Sequence, residues 1–411
     1  MATLLVKNIG CLQTPVGSYS HKGKQQAENL KLQNAAILIE DGIIKEITSD
    51  GILPSEAEDA ETVIDAEGNL VTPGLVEGHT HMVFGGYRQN EIPLKLKGAG
   101  YLDILRAGGG ILDTVRKTRA ASFEELYQKT EGFLDEMMGL GVTTCEGKSG
   151  YGLDFDTEVK MLEVLKKLNA DHPMDIVATF MGAHAIPEEY KGRADEFINM
   201  LCEELLPYVK EHGLAEFADV FTEDSVFNYE QSKKYLECAK ACGFDLKIHA
   251  DEIEAIGGSV LAGEMGAVSC EHLIAINEEG LTSMAKAGTT AMCLPATSFY
   301  LGADFAPARK MIEMGIPVAM ASDFNPGSCP SLNLQFVMNL GCLKYKLLPE
   351  EILTAVTINP ACAINRGHLV GTLEQGKQGD LVIWNAPNME MLCYRFGSNL
   401  ALQVIKKGNL V

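Results

Sequence analysis

His79 and His81 lie one residue apart in Gly78-His79-Thr80-His81. On a β-strand successive side chains alternate between faces, so this spacing turns both imidazoles to one side, where they can share a metal ion. The pair alone is a weak signal and takes its weight from partners. His249 closes the run Leu246-Lys247-Ile248-His249, and Asp323 closes Val318-Ala319-Met320-Ala321-Ser322-Asp323. Three imidazoles and one carboxylate suit zinc or iron, with a position left open for water. A metal held that way acidifies water and polarises a carbonyl, which is the chemistry of hydrolysis.

Of the nine histidines, five (His79, His81, His184, His249 and His272) fall at or near the C-terminal ends of strand-like runs. Any one of them could be a satisfied structural histidine, but five placed by the same rule point to a shared site. Glu252, three residues past His249, is placed to carry protons between a water and a leaving nitrogen. It could instead be an acid favoured by a helix N-terminus. His272, in Ser269-Cys270-Glu271-His272, is expected to orient the water or to stabilise developing negative charge, and Glu271 beside it is expected to be structural. Arg88 can hold a carboxylate through two parallel N–H bonds, unless it is a surface residue paired with Glu91. Gly85-Gly86 could let backbone approach the site, or could be only a turn. Gly108-Gly109-Gly110 is no phosphate loop, because no Gly-Lys-Ser/Thr follows it and no strand precedes it.

These residues need elements to position them. Strand-like runs at 75–81, 141–147, 176–182, 217–223, 244–250, 267–272, 289–294 and 317–323 alternate with amphipathic segments of helical length, such as Ser122 to Gly139, Asp156 to Asn169 and Asp195 to His212. Strand–helix alternation implies parallel strands, and eight of them fit a closed (β/α)8 barrel. The C-terminal ends of such strands form one face, which gathers residues far apart in sequence. Loops there carry specificity, among them Lys148-Ser149-Gly150-Tyr151-Gly152, Gly182-Ala183-His184 and Asn325-Pro326-Gly327-Ser328. Both chain ends read instead as short strands with tight turns, as in Ala36 to Ile47 around Asp41-Gly42 and in Asp380 to Trp384. The expected division is a composite β-sandwich of residues 1–73 and 365–411 and a barrel of residues 74–364.

The net charge of −22 repels nucleic acid and anionic membranes, so an anionic substrate would need a local cation such as Arg88. The eleven cysteines form no CxxC pair, and no apolar run reaches the roughly 18 residues of a membrane span. A cytoplasmic enzyme with reduced thiols is expected.

His79-Thr80-His81 after Pro73-Gly74, followed by His249, His272 and Asp323, resembles the amidohydrolase superfamily over nearly the whole chain. The stretches HTHMVFGGYRQNE, AGGGILDTVRKTR, KSGYGL, GAHAIPEEYKG, KIHADE, LPATSFYL and SDFNPGSCP are similar to its cyclic-amide hydrolases of histidine degradation. That resemblance implies a metal-bearing barrel with a small β-sandwich, in a cytoplasmic homodimer. It makes His79, His81, His249 and Asp323 the ligands of a single zinc or iron ion. It sets Arg88, Tyr151, His184, Glu252, Asn325, Gly327 and Ser328 around the substrate, with Tyr101 a further candidate. Glu252 and His272 become the catalytic pair, and Asp323 is counted with them as well as with the ligands. The implied reaction is hydrolysis of 4-imidazolone-5-propanoate to N-formimidoyl-L-glutamate. Ser269 to His272 and Thr222 to Ser225 depart from the usual pattern, and Glu223 in the second of these could support another metal. The rival readings are another cyclic-amide hydrolase or a guanine-deaminase-like aromatic deaminase of the same superfamily, whose substrates have no carboxylate tail, and a scaffold without catalysis.

Overall fold

The computed structural model describes residues 2–98 and 109–411, so Tyr101 lies outside the described residues. Eight parallel strands form the central sheet: β6 (Leu75–Glu77), β7 (Val142–Lys148), β8 (Asp175–Ala183), β9 (Phe217–Thr222), β10 (Asp245–Ala250), β11 (Ser269–His272), β12 (Thr290–Cys293) and β13 (Val318–Met320). They pair in sequence order, and each falls on one of the eight runs read from the sequence. The first strand stops at Glu77, short of the histidines. The chain beyond it closes the barrel, because Thr80 bridges Phe324 in parallel register, His81 N–H donates to Phe324 O at 2.8 Å and Asp323 N–H to His79 O at 3.2 Å. The barrel seam is therefore made of the segments that carry His79, His81 and Asp323.

Helices cover the outside, and polar caps start them. Ser122 and Glu125 form a reciprocal capping box ahead of helix Phe123–Gly139, which buries Leu126, Thr130, Leu134 and Met137 along one stripe at helical spacing. Asp154 caps helix Phe155–Asp171 and Asn228 caps helix Tyr229–Ala241. Between Ala194 and Glu211 one turn, Leu201–Leu205, is widened to a π-helix. Among the described residues no helix is long and apolar enough to cross a membrane.

Strands β1 (Thr3–Thr14), β2 (Leu30–Glu40), β3 (Ile43–Thr48), β4 (Thr62–Asp65) and β5 (Leu70–Pro73) join β14 (Leu381–Trp384), β15 (Ala401–Lys406) and β16 (Asn409–Leu410) in a second sheet, ordered β16-β15-β14-β5-β1-β2-β3 with β4 on β1. The two halves of the expected sandwich are thus one continuous sheet. It rolls around a core to which Val6, Ile37, Ile44, Ile64, Ile383 and Ile405 all contribute. The segment leading into β14 meets the β2–β3 turn, where Gly379 N–H donates to Gly42 O at 2.7 Å. Buried Trp384 belongs to the main core, and its Nε1–H donates to Thr72 Oγ1 at 2.8 Å.

The barrel interior holds an ionic network rather than branched aliphatic side chains alone. Lys148 Nζ lies 3.0 Å from Glu146 and 2.9 Å from Asp219, and Lys247 Nζ lies 3.1 Å from Glu146, all fully buried. Glu146 and Lys148 share β7, whereas Lys148–Asp219 and Lys247–Glu146 join strands that are not neighbours and so cross the interior. An ion in such a place is tolerated only when it is paired, and every charge here has an opposite partner.

Candidate active site

At the C-terminal mouth of the barrel the five strand-end histidines converge. The His79 and His81 ring centres are 5.1 Å apart, His79 and His249 4.6 Å, His81 and His184 4.8 Å, and His249 and His272 5.3 Å. His79 Nε2 lies 3.2 Å from His81 Nε2, which lies 3.3 Å from His249 Nε2. Asp323 Oδ1 is 3.4 Å from His79 Nε2 and 3.5 Å from His81 Nε2. Among the described residues, the group that can hold a metal ion is His79, His81 and His249.

The donor set fits a metal on two grounds. Ligand atoms roughly 2.1 Å from a zinc ion at tetrahedral corners stand roughly 3.4 Å apart, which is the spacing seen. Two of the three far ring nitrogens are also spoken for: His79 Nδ1–H donates to Glu271 at 2.9 Å and His249 Nδ1–H to Asp219 at 3.1 Å. Burial and neighbouring positive groups hold His79 and His81 well below the usual imidazole range, so these rings are neutral. Unprotonated Nε2 lone pairs then face one another, an arrangement that calls for a cation at its centre.

Carboxylate–histidine pairs of this kind fix the tautomer and ring orientation of metal-ligating histidines. Burial raises the Asp219 carboxyl, but the His249 and Lys148 charges outweigh it and lower it overall, so the acceptor behind His249 stays anionic. Glu271, expected only to be structural, accepts the His79 Nδ1–H and also accepts from Ser269 Oγ at 2.5 Å. Glu271→Gln is expected to raise the metal dissociation constant roughly tenfold, checked by competition with a chromophoric chelator.

His272 Nε2 stands 3.6 Å from Glu252 Oε2. About a fifth of the Glu252 side chain, 18%, opens to the cavity, while the rest lies under protein atoms. Burial pushes its carboxyl up to about 7, and that of Asp323 to about 6. Thr297 Oγ1 donates to Asp323 Oδ2 at 2.6 Å, which leaves Oδ1 for the histidine side. Backbone in the left-handed region at Asp251 (φ 53°), His272 (66°), Leu273 (63°) and Asp323 (57°) costs about 1–3 kcal/mol each, and it clusters at this mouth as strain does at functional sites.

A cavity of about 640 Å³ opens over these groups, lined by His81, Arg88, Glu91, Tyr151, His184, Glu223, His249, Glu252, His272, Asp323, Asn325 and Ser328 among others. Burial lowers His184 to about 3, and its Nδ1–H donates to Gly150 O at 3.1 Å, so its Nε2 is an acceptor. The Tyr151 ring lies 5.3 Å from that of His184, and burial raises its phenol, which stays protonated. Loop 149–153 is pinned by the buried Glu158 carboxylate, which accepts from the N–H groups of Gly150, Gly152 and Leu153 at 2.8 to 3.0 Å. Asn325 spends its side chain on its own loop: Oδ1 accepts from Gly327 N at 2.9 Å and Ser328 N at 2.7 Å, and Nδ2 donates to Asp323 O at 2.7 Å.

Arg88 combines the two roles set against each other in the sequence. It lines the cavity, and it pairs with Glu91 at 3.7 Å and donates to Thr114 Oγ1 at 3.3 Å. Glu91 in turn accepts from Gly110 N at 2.6 Å, which is what the third glycine of the triplet does. Gly327 lies directly beneath the guanidinium, where any Cβ would overlap it. Its φ is not in the left-handed region, so alanine there meets no backbone strain. Gly327→Ala is therefore expected to displace Arg88 and raise KM roughly tenfold, as one of two N–H bonds to a carboxylate is lost, with kcat nearly unchanged. Gly85 and Gly86 correct the sequence reading: a Cβ on either would strike Lys117 of helix Ile111–Ala120, so their close approach is to that helix rather than to the site.

Residues 70–411 match the profile of the amidohydrolase family. The chain belongs to that family, and metal-assisted hydrolysis is the chemistry its barrel and histidine cluster serve. A 5-methylcytosine deaminase from Klebsiella pneumoniae shares the fold, with a TM-score of 0.74 at 17% identity over 99% of this chain and 97% of that one. Within the family the chain belongs to the imidazolonepropionases. It is 50% identical to the imidazolonepropionase of Alkaliphilus metalliredigens, over 100% of this chain and 98% of that protein. With that of Treponema denticola it shares 52% identity over 91% of each.

Proposed function

We propose that the chain hydrolyses 4-imidazolone-5-propanoate to N-formimidoyl-L-glutamate. The observation that carries this reading is one cavity holding both the histidine cluster and Arg88, a reactive centre beside a cation for a short acidic tail. When bound, the metal supplies Lewis acidity that acidifies water and polarises the ring carbonyl, and three imidazoles with one carboxylate suit zinc or iron.

Arg88 holds the propanoate and so turns the ring carbonyl toward the histidines. His184 Nε2 accepts a ring N–H, and Tyr151 packs beside it. Gly327 and Ser328 floor the pocket on the loop that Asn325 shapes, so the guanidinium and the ring lie in fixed register. Glu252 removes a proton from the attacking water and delivers it to the ring nitrogen as the C–N bond breaks, which leaves a carboxylate and a formimidoyl-bearing nitrogen. His272, held neutral by burial, steadies Glu252 and the oxygen where negative charge develops. Asp323 stands with His79, His81 and His249 as a ligand and offers a second proton acceptor. Residues 74–364 do this chemistry, residues 1–73 with 365–411 brace the barrel, and the unit expected is a cytoplasmic homodimer.

The test is to add purified, metal-analysed protein to imidazolonepropanoate, follow the loss of its absorbance and identify formiminoglutamate. Protein carrying a full equivalent of metal yet giving no turnover overturns the proposal.

A further inference from the structure

Glu223 directly follows β9, where the sequence raised it as support for a second metal ion. The structure gives its carboxylate other work. Glu223 is 1% exposed, its Oε2 accepts from Ile253 N at 3.0 Å, and its Oε1 accepts from Glu254 N at 3.1 Å and Asp224 N at 3.2 Å. Both oxygens are turned to backbone, and two of the three bonds cross to the loop after β10. That loop carries Glu252.

Residues 251–257 form no helix or strand. At the start of the loop Asp251 is tied down, since Ala275 N–H donates to its carbonyl at 2.7 Å and Ser259 Oγ to its carboxylate. Beyond Glu252 burial does little, because Ile253 is 67% exposed and Glu254 is also exposed. Residues 253 and 254 are tied to the barrel by the Glu223 carboxylate, through hydrogen bonds strengthened by its charge. A loop anchored just before and just after one residue holds that residue's side chain in a narrow range of positions. We infer that Glu223 is a positioning residue, which clamps the backbone after Glu252 so that the Glu252 carboxylate stays over the reacting atoms. The inference rests on the proton-carrying role proposed for Glu252.

A displacement of about 1 Å at a reacting group can cost on the order of 100-fold in rate. In the metal-loaded full chain, Glu223→Gln keeps the size of the side chain but sets an amide N–H2 against one backbone N–H. It is expected to lower kcat roughly 10- to 100-fold, with KM within about twofold and metal content unchanged. A structural weakening alone would add its loss to that of any other variant. A positioning role is expected to leave no further loss when Glu223→Gln is placed in a Glu252→Gln background. Additive losses, an unchanged kcat, or a fall in bound metal that tracks the activity each overturn the inference. If Glu223→Gln fails to accumulate as folded protein, Glu223→Asp keeps the charge but withdraws it by one methylene, and there an unchanged kcat overturns it. Near-normal turnover by Glu252→Gln alone is a different result: it removes the role of Glu252 and the inference with it.

Discussion

Glu252→Gln is expected to lower kcat by about 10²- to 10⁴-fold while metal content and KM change little, the range a positioned general acid–base residue supplies. The amide fills the same space and can still receive a hydrogen bond, but it cannot take a proton from water and pass it on. Burial has already raised the carboxyl from 4.5 to about 7, with the His249 charge opposing and that of Glu223 adding. A bound cation would pull it back down, so about 7 is the upper end of the window in which it titrates. The carboxylate is the working form, so kcat/KM is expected to be flat above this window and to fall as pH drops through it, about tenfold per pH unit on the acid side. Metal content measured at each pH separates this limb from loss of the ion. A near-normal kcat for the amide variant would move proton transfer to His272 or Asp323.

Legibility in the sequence followed the range of the signal. Each of the eight barrel strands falls on a short strand-like run, and position at a strand's C-terminal end is also local, so His79, His81, His184, His249, His272 and Asp323 could be picked out before any contact was known. Pairings across the barrel could not. Glu271 and His79 are 192 residues apart, and nothing near Glu271 separates a carboxylate that holds a histidine from one that merely fills a strand. Lys148 read as part of a polar loop, yet it lies fully buried between Glu146 and Asp219. Arg88 and Glu91 were read as alternatives because a sequence offers one partner at a time, whereas a guanidinium has several donors and can bind Glu91, Thr114 and a ligand together. Glycine pairs are ambiguous for a related reason: they announce close approach without saying to what, and in Gly85-Gly86 the neighbour is Lys117.

Arg88→Ala is expected to raise KM for imidazolonepropanoate on the order of 100-fold or more and to leave bound metal unchanged. Hydrogen bonds to a charged group contribute about 1.5–3 kcal/mol, and every 1.4 kcal/mol is a factor of ten. Two parallel bonds to the propanoate would therefore account for that factor. A second contribution comes from Glu91, whose side chain is 4% exposed and lines the same cavity. With Arg88 gone, Glu91 keeps the Gly110 N–H but loses the cation that screens it from the substrate's carboxylate. In a protein of net charge −22 no diffuse field attracts the anion instead. Arg88→Lys separates charge from geometry: an ammonium keeps the attraction but cannot make the forked pair, so its KM should fall between wild type and alanine. Titrating each variant with substrate at fixed metal occupancy gives the three values. Equal KM in all three would take Arg88 out of the substrate site and, with it, the feature that separates this pocket from one built for a ring without an acidic tail.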